Sequence, residues 1–491
     1  MFRPCDLPLL ATSLAIRCQA TRQSEALALD DAGSSCRGRP RNPTTRRRPM
    51  RFARPALTAL VAALLAACGS DTPNPPTVTP SPPTVTPSPP TVTPNPPTVT
   101  PNPPNPPTGS LIEPPSTVGT LPKADLRGPC DVTVVALNYS TPGAKAGELS
   151  NASGGLLVPS GTDAACKGPF PIIAYSRGTE VSKPRTMASL TDLEMREMAD
   201  VFATAGYIVV ATDYLGFAKS RYPFHPYLHA DSEATAVIDS IRAARAYAAQ
   251  TAIPLSGKVM LYGYSQGGHA SLSAQRAIES SAALKAEMPI AAAGHGGAPS
   301  ALGSAVRSGA EVSGGQFYVP FLITAWQKVY GDVYTTPSDI FKAPYASYIE
   351  NLLPSATETY ETLENSGRLP ATSYNDLMFQ PTFVPALQNG TSAVVRAAQR
   401  NDLVASGWNP SSPTLFCAGS GDQDVPYATG QKLAIDTWGS RSNVSAVDVG
   451  PQVQALGASE GLTPQQVLTF HHSIAGGVCL GVVSDYFETR R

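Results

Sequence analysis

The sequence predicts an α/β domain: a mostly parallel sheet with helices packed on both faces. Three observations carry that expectation. Short apolar runs rich in β-branched residues alternate with runs of helical period from about Cys130 to Ala293. At one junction, between the strand-like Lys258 to Tyr262 and a helix-compatible Ala/Ser/Leu run, stands Gly263-Tyr264-Ser265-Gln266-Gly267. The alternation then lapses from Gly294 to about Pro413 and resumes at Thr414, as an insertion into one domain would make it do.

The chain has 491 residues, enough for several average domains or for one large domain with an insertion. Its 49 prolines are concentrated in one segment, which favours the second arrangement. The net charge of -1 provides no basic field for nucleic acid, and no such partner is expected.

Before the domain come three stretches. Residues 1–49 are arginine-rich without hydrophobic period and read as an upstream extension outside the mature protein, with Met50 as the start. Arg51 and Arg54 precede the apolar run Ala56 to Ala67, too short to span a bilayer permanently, so 50–67 reads as a signal peptide. It ends in Leu65-Ala66-Ala67-Cys68, which resembles a bacterial lipobox. Cys68 would then be acylated and anchor an exported protein to a membrane, and Gly69 after it resembles lipoproteins sent to an outer membrane. Residues 68–110 form a linker in which Pro-Thr-Val-Thr-Pro-(Ser/Asn)-Pro repeats. Proline at that density settles into polyproline II, at about 3.1 Å per residue a spacer of roughly 100 Å.

Residues 111–491 form the expected domain, with its first strand opening near Cys130. Val132 to Tyr139 and Gly154 to Val158 read as a hairpin, and Pro171 to Tyr175 as a buried strand leading into Ser176-Arg177-Gly178-Thr179. A helix with Met195, Met198, Phe202 and Ala205 on one face follows, then a strand from Tyr207 to Thr212 closed by Asp213-Tyr214-Leu215-Gly216. Asp231 to Gln250 keeps a helical period through Ala234, Val237, Ile238, Ile241 and Ala244. After the Ser265 junction come a helix to about Ala282 and a strand at Pro289 to Ala293. The inserted segment, about 300–410, is dense in aromatics and reads as a helical cap over an apolar pocket or as a decoration packed on itself. Strands at Thr414 to Ala418 and Asn443 to Val449 and a helix at Ile474 to Phe487 complete the domain.

Four cysteines fall in this domain. An even number in an exported chain suggests two disulfides, and the hairpin favours Cys130 with Cys166, leaving Cys417 with Cys479. Cysteine and histidine spacing supports no metal site.

A strand-to-helix turn as tight as the one at Ser265 forces a strained serine and thrusts its hydroxyl out at a helix N-terminus. A serine nucleophile needs a base, and the base a carboxylate, in the chain order serine, acid, histidine. Gly419-Ser420-Gly421-Asp422-Gln423-Asp424-Val425-Pro426 follows a strand; its D-x-x-V-P frame selects Asp422, with Asp424 as the alternative. Only His471 and His472 lie beyond it. His472 is chosen as base and His471 stays open. The oxyanion donors are expected to be the Gln266 N–H and the Arg177-Gly178-Thr179 loop, Thr179 first. His225 and His229 are separated by a proline that argues against a helical metal pair; His295 reads as a turn residue and His269 as structural.

With these residues placed, the segment from about Cys130 to Phe487 resembles the α/β-hydrolase superfamily, and within it the secretory lipase family of the yeast lipase A type. The resemblance rests on Arg177-Gly178-Thr179 where that family has His-Gly-Thr, on Asp213-Tyr214-Leu215-Gly216, on His225-Pro226-Tyr227-Leu228, on Gly263 to Gly268, and on Asp422 with Val425-Pro426. It implies a carboxylester hydrolase with Ser265, Asp422 and a histidine as triad and a cap before the acid-bearing strand. Acyl transfer on an apolar ester, no cofactor and a monomeric enzyme are the expectations. A serine peptidase on the same fold and a non-catalytic surface binding protein are the competing expectations.

Overall fold

The computed structural model describes residues 107–491. The expected extension, the signal peptide, Cys68 and the linker as far as residue 106 lie outside the described residues. Nine strands form a single sheet in the order β1-β2-β3-β5-β4-β6-β7-β8-β9. They are β1 Ser116–Leu121, β2 Asp131–Pro142, β3 Leu149–Ser160, β4 Phe170–Ser176, β5 Ile208–Tyr214, β6 Leu255–Tyr264, β7 Ile290–Gly296, β8 Thr414–Ala418 and β9 Val444–Asp448. Pairing is antiparallel from β1 to β3 and between β3 and β5, and parallel everywhere else. The chain is therefore an α/β protein with a mostly parallel sheet.

The fold begins one strand earlier than expected. β1 pairs with β2 before Cys130, and its side chains are largely exposed, so no apolar run marks it. β5 runs on through Asp213 and Tyr214, both buried, and β7 runs on through His295 to Gly296.

Helices cover both faces. Met195 and Met198 of α1 (Leu193–Val201) pack under the sheet with Tyr175, Tyr262 and Met260. The helical period read as far as Ala205 breaks earlier, where the chain tightens into a 3₁₀ turn ending at Gly206 with φ 93°. On the opposite face, Val237, Ile238 and Ile241 of α2 (Ala230–Gln250) and Ala270, Ala274 and Ile278 of α3 (Gln266–Ser280) pack against Ile172, Val210 and Leu261. The short α4 (Ala282–Glu287) leads into β7.

Between β7 and β8 the chain forms a run of helices: α5 Leu302–Ser308, α6 Gly315–Tyr330, α7 Tyr360–Asn365, α8 Tyr374–Met378, α9 Phe383–Gln388 and α10 Ala393–Arg400. Their aromatic and aliphatic side chains, Phe317, Phe321, Trp326, Phe341 and Phe379 among them, make a hydrophobic cluster of their own. Phe217, Tyr227 and Leu228 from the sheet side enter that cluster. After β8 come α11 (Gln431–Trp438), then past β9 α12 (Gly450–Ser459), α13 (Pro464–Thr469) and α14 (His471–Glu488). The last returns to the α1 face through Leu480, Val483 and Phe487.

Disulfides join Cys130 to Cys166 and Cys417 to Cys479. The second ties β8 to α14. Among the described residues no helix is long and apolar enough to cross a membrane.

Candidate active site

Ser265 stands between β6 and α3 with φ 60° and ψ -124°, a strained conformation for a residue with a side chain. The turn is packed so closely that a Cβ at Gly267 would lie 1.8 Å from the Ser176 carbonyl oxygen of β4. Only glycine permits that approach, and with it the exposure of the serine hydroxyl at the carboxyl edge of the sheet.

Asp422 follows β8 and is almost wholly buried. Its Oδ1 accepts the backbone N–H groups of Asp424 and Val425 at 2.9 and 3.0 Å, which leaves Oδ2 for the His472 Nδ1 at 2.6 Å. His472 lies in the first turn of α14, not before it. Burial, the largest influence, pulls its pKa down, but the charge and hydrogen bond of Asp422 and the charge of Asp424 together hold it above the ordinary imidazole value. The His472 ring rests against Tyr264 at 4.8 Å between centroids, and the Tyr264 hydroxyl donates to the His472 carbonyl at 2.8 Å. His472 is thus brought beside the residue preceding Ser265. Among the described residues no direct hydrogen bond joins Ser265 to His472; such bonds commonly tighten only when substrate is bound.

The two members of each open pair are placed differently. Asp424 is not bonded to His472, but lines the same cavity as Ser265, and burial raises its pKa. His471 is fully buried and neither of its ring nitrogens has a partner among the described residues; burial lowers its pKa. Its ring fills the space beside the acid loop, where a Cβ at Gly419 would lie 2.1 Å from the His471 Cε1.

The loop after β4 is held from several sides. The Gly178 N–H donates to Glu194 Oε1 at 2.9 Å, so Thr179 offers the next N–H along the loop. Thr179 Oγ1 lies 2.8 Å from the Tyr227 hydroxyl. Arg177, where the resemblance led us to expect histidine, is buried. Its guanidinium stands 4.3 Å over the Phe217 ring, and its carbonyl accepts from the Tyr214 hydroxyl at 2.9 Å. On the other side Gln266 opens α3, so its N–H has no intrahelical acceptor.

Thr179, Ser265 and Gln266 share the wall of an apolar cavity of about 150 Å³. The rest of the wall comes largely from the inserted helices, through Leu302, Val306, Tyr318, Leu322, Phe383 and Leu387. The insertion therefore does more than pack on itself.

The remaining histidines are also placed. His229 caps α2, its ring nitrogen accepting the Ser232 N–H. His295, expected in a turn, is buried in β7 between Ser271 Oγ and Gln275 Oε1 at 2.8 and 2.7 Å; the strand extends further than its small residues suggested. His225 and His269 meet Gln266 and Glu233 behind the serine. Sequence reasoning missed Glu194 and Glu233. The signal for Glu233 was a carboxylate at i-4 to Val237, on the inward face of an otherwise apolar stripe.

A secretory lipase family model matches residues 182–331. The rice cell wall degrading esterase LipA from Xanthomonas oryzae is 31% identical with a TM-score of 0.69, over 79% of this chain and 100% of LipA. A putative hydrolase from Legionella pneumophila, 22% identical with a TM-score of 0.65 over 77% of this chain and 97% of its own, shares the fold. No curated protein matches the chain.

Proposed function

The chain belongs to the secretory lipase family of α/β-hydrolases and is a carboxylic ester hydrolase; from that premise we propose that it works through an acyl-enzyme on Ser265. The observation that carries this reading is the Asp422–His472 hydrogen bond, with the His472 ring set against the residue before the strained serine. His472 takes the proton from Ser265 as its oxygen attacks the ester carbonyl. Asp422 keeps the imidazole Nδ1 protonated and stabilises the cation that forms. The oxyanion is met by the N–H groups of Gln266 and Thr179. His472 returns the proton to the leaving alcohol, and water, activated by the same base, releases the acid.

The apolar cavity beside Ser265 favours an apolar acyl group, with the inserted helices acting as its cap. Export and acylation at Cys68 complete the proposal, on the strength of the lipobox-like Leu65 to Cys68 and of two disulfides that require an oxidising compartment. Loss of labelled fatty acid incorporation in Cys68→Ala tests the anchor.

The catalytic reading is tested by p-nitrophenyl esters of graded chain length beside peptide anilides, for wild type and Ser265→Ala. Ester turnover abolished in the variant is expected. A preference for anilides would make the protein a peptidase. No turnover together with no fluorophosphonate labelling would leave a binding protein.

A further inference from the structure

Both hydrogens of the Gln266 side-chain amide point away from the cavity, at acceptors buried behind the serine. Its Nε2 stands 2.7 Å from His225 Nε2 and 2.8 Å from Glu233 Oε1. Burial pushes the His225 pKa down to about 3, so this ring is neutral. Its Nδ1 lies 3.0 Å from the Leu215 carbonyl and carries the hydrogen, which leaves Nε2 free to accept from Gln266. Glu233, in the first turn of α2, also accepts the Leu228 N–H at 3.2 Å. Its other oxygen lies 2.7 Å from His269 Nδ1, and His269 Nε2 lies 3.2 Å from the Asn401 carbonyl that follows α10.

Gln266, His225, Glu233 and His269 are each no more than 2% exposed. A carboxylate and three polar side chains buried where aliphatic ones would pack are costly unless every member is satisfied. Here the Gln266 amide nitrogen, both Glu233 oxygens and the rings of His225 and His269 each face a polar partner, and the contacts join the β5–α2 loop, α2, α3 and the end of the inserted segment. The cluster terminates on Gln266, whose backbone N–H is one of the two proposed oxyanion donors.

We propose that Glu233 is a positioning residue: it anchors the Gln266 side chain and thereby fixes the Gln266 N–H in the direction the oxyanion requires. The proposal rests on the reading of Ser265 as nucleophile. A donor set in place before the reaction needs no reorganisation during it, and a single such donor is worth about 10²–10³ in kcat. A loosened donor should forfeit part of that while leaving substrate affinity alone.

The experiment compares Glu233→Met, Glu233→Gln, Gln266→Met and the double variant Glu233→Met/Gln266→Met on a p-nitrophenyl ester. Rates are normalised to folded enzyme by circular dichroism. Gln266→Met removes both amide hydrogens but leaves the backbone N–H in place. The expected result is a kcat lowered between about 10- and 100-fold in Glu233→Met and Gln266→Met with KM unchanged. Glu233→Gln, which keeps an acceptor for Gln266, should recover most of the rate. The double variant should be no slower than Gln266→Met, because the two act through one group. A purely structural Glu233 would instead lower the melting temperature and leave kcat per folded molecule intact, and that outcome overturns the proposal. If Glu233→Met does not fold, Gln266→Met decides alone: an unchanged kcat overturns the proposal and a lowered one supports it. Wild type and Ser265→Ala run alongside: inactive wild type refutes the hydrolase reading, whereas active wild type with unaffected variants refutes only the role of Glu233.

Discussion

His472 and Asp422 are 50 residues apart in sequence and 2.6 Å apart in space, Nδ1 against Oδ2. The other Asp422 oxygen is occupied by two backbone N–H groups, so the carboxylate cannot turn away from the imidazole without breaking both. Four predictions follow from this pair and its surroundings.

Removal of any of the three side chains should stop ester turnover. Ser265→Ala and His472→Ala are each expected to lower kcat by at least about 10⁴-fold, and the double variant by no more than either single one, since they act as a unit. Active-site titration with a fluorophosphonate should show no labelling of Ser265→Ala. Additive losses would contradict the mechanism.

The acid limb of the pH–rate profile should report His472. The base must be neutral to accept the serine proton. Asp422 and Asp424 favour its cation, so the proton is retained to higher pH and activity should rise through a midpoint above about 6.5. Asp424→Asn removes one of those negative charges. Its limb in kcat/KM should therefore move to lower pH, and a shift upward would count against the assignment.

The acid loop should tolerate no side chain beneath it. Gly419→Ala places a Cβ 2.1 Å from His471 Cε1, so the ring or the loop must give way, at a cost of about 1–3 kcal/mol in urea unfolding. His471→Ala leaves a cavity instead. Combined, the larger residue at 419 enters space vacated at 471, and the double variant should be less destabilised than the sum of the two.

Chain-length preference should follow the cavity wall. Val306→Trp fills part of the cavity that Leu302 and Leu322 line, a cavity whose wall does not include Asp422 or His472. Turnover of long-chain relative to acetyl p-nitrophenyl esters should drop about tenfold or more, with acetyl hydrolysis nearly unchanged. An unchanged ratio would place the acyl group elsewhere.

The central strands and their helices were legible because each is an apolar run of its own period, β4 and β5 buried along their length and α2 striped. β1 was not, since an exposed edge strand has no buried face to pattern. The helices of the insertion were illegible one by one, because several are only five or six residues long and are ordered by aromatic packing more than by period. Ser265 could be read from sequence because steric demands leave fixed glycines around it. The choice between His471 and His472 could not, because adjacent residues on a helix differ by rotation alone, and that rotation is set by the packing of α14 on the sheet. Glu233 escaped notice because its partners come from two separate parts of the chain, the β5–α2 loop and α3.

The cross-link between Cys417 and Cys479 has a bearing on timing. It fastens the strand ahead of Asp422 to the helix that begins with His472, and it forms only where thiols can be oxidised. For as long as a newly made chain remains among reducing thiols, Asp422 and His472 meet through packing alone, without that covalent tie. On the proposed export route this oxidation joins the cleavage ahead of Cys68 as a step of maturation.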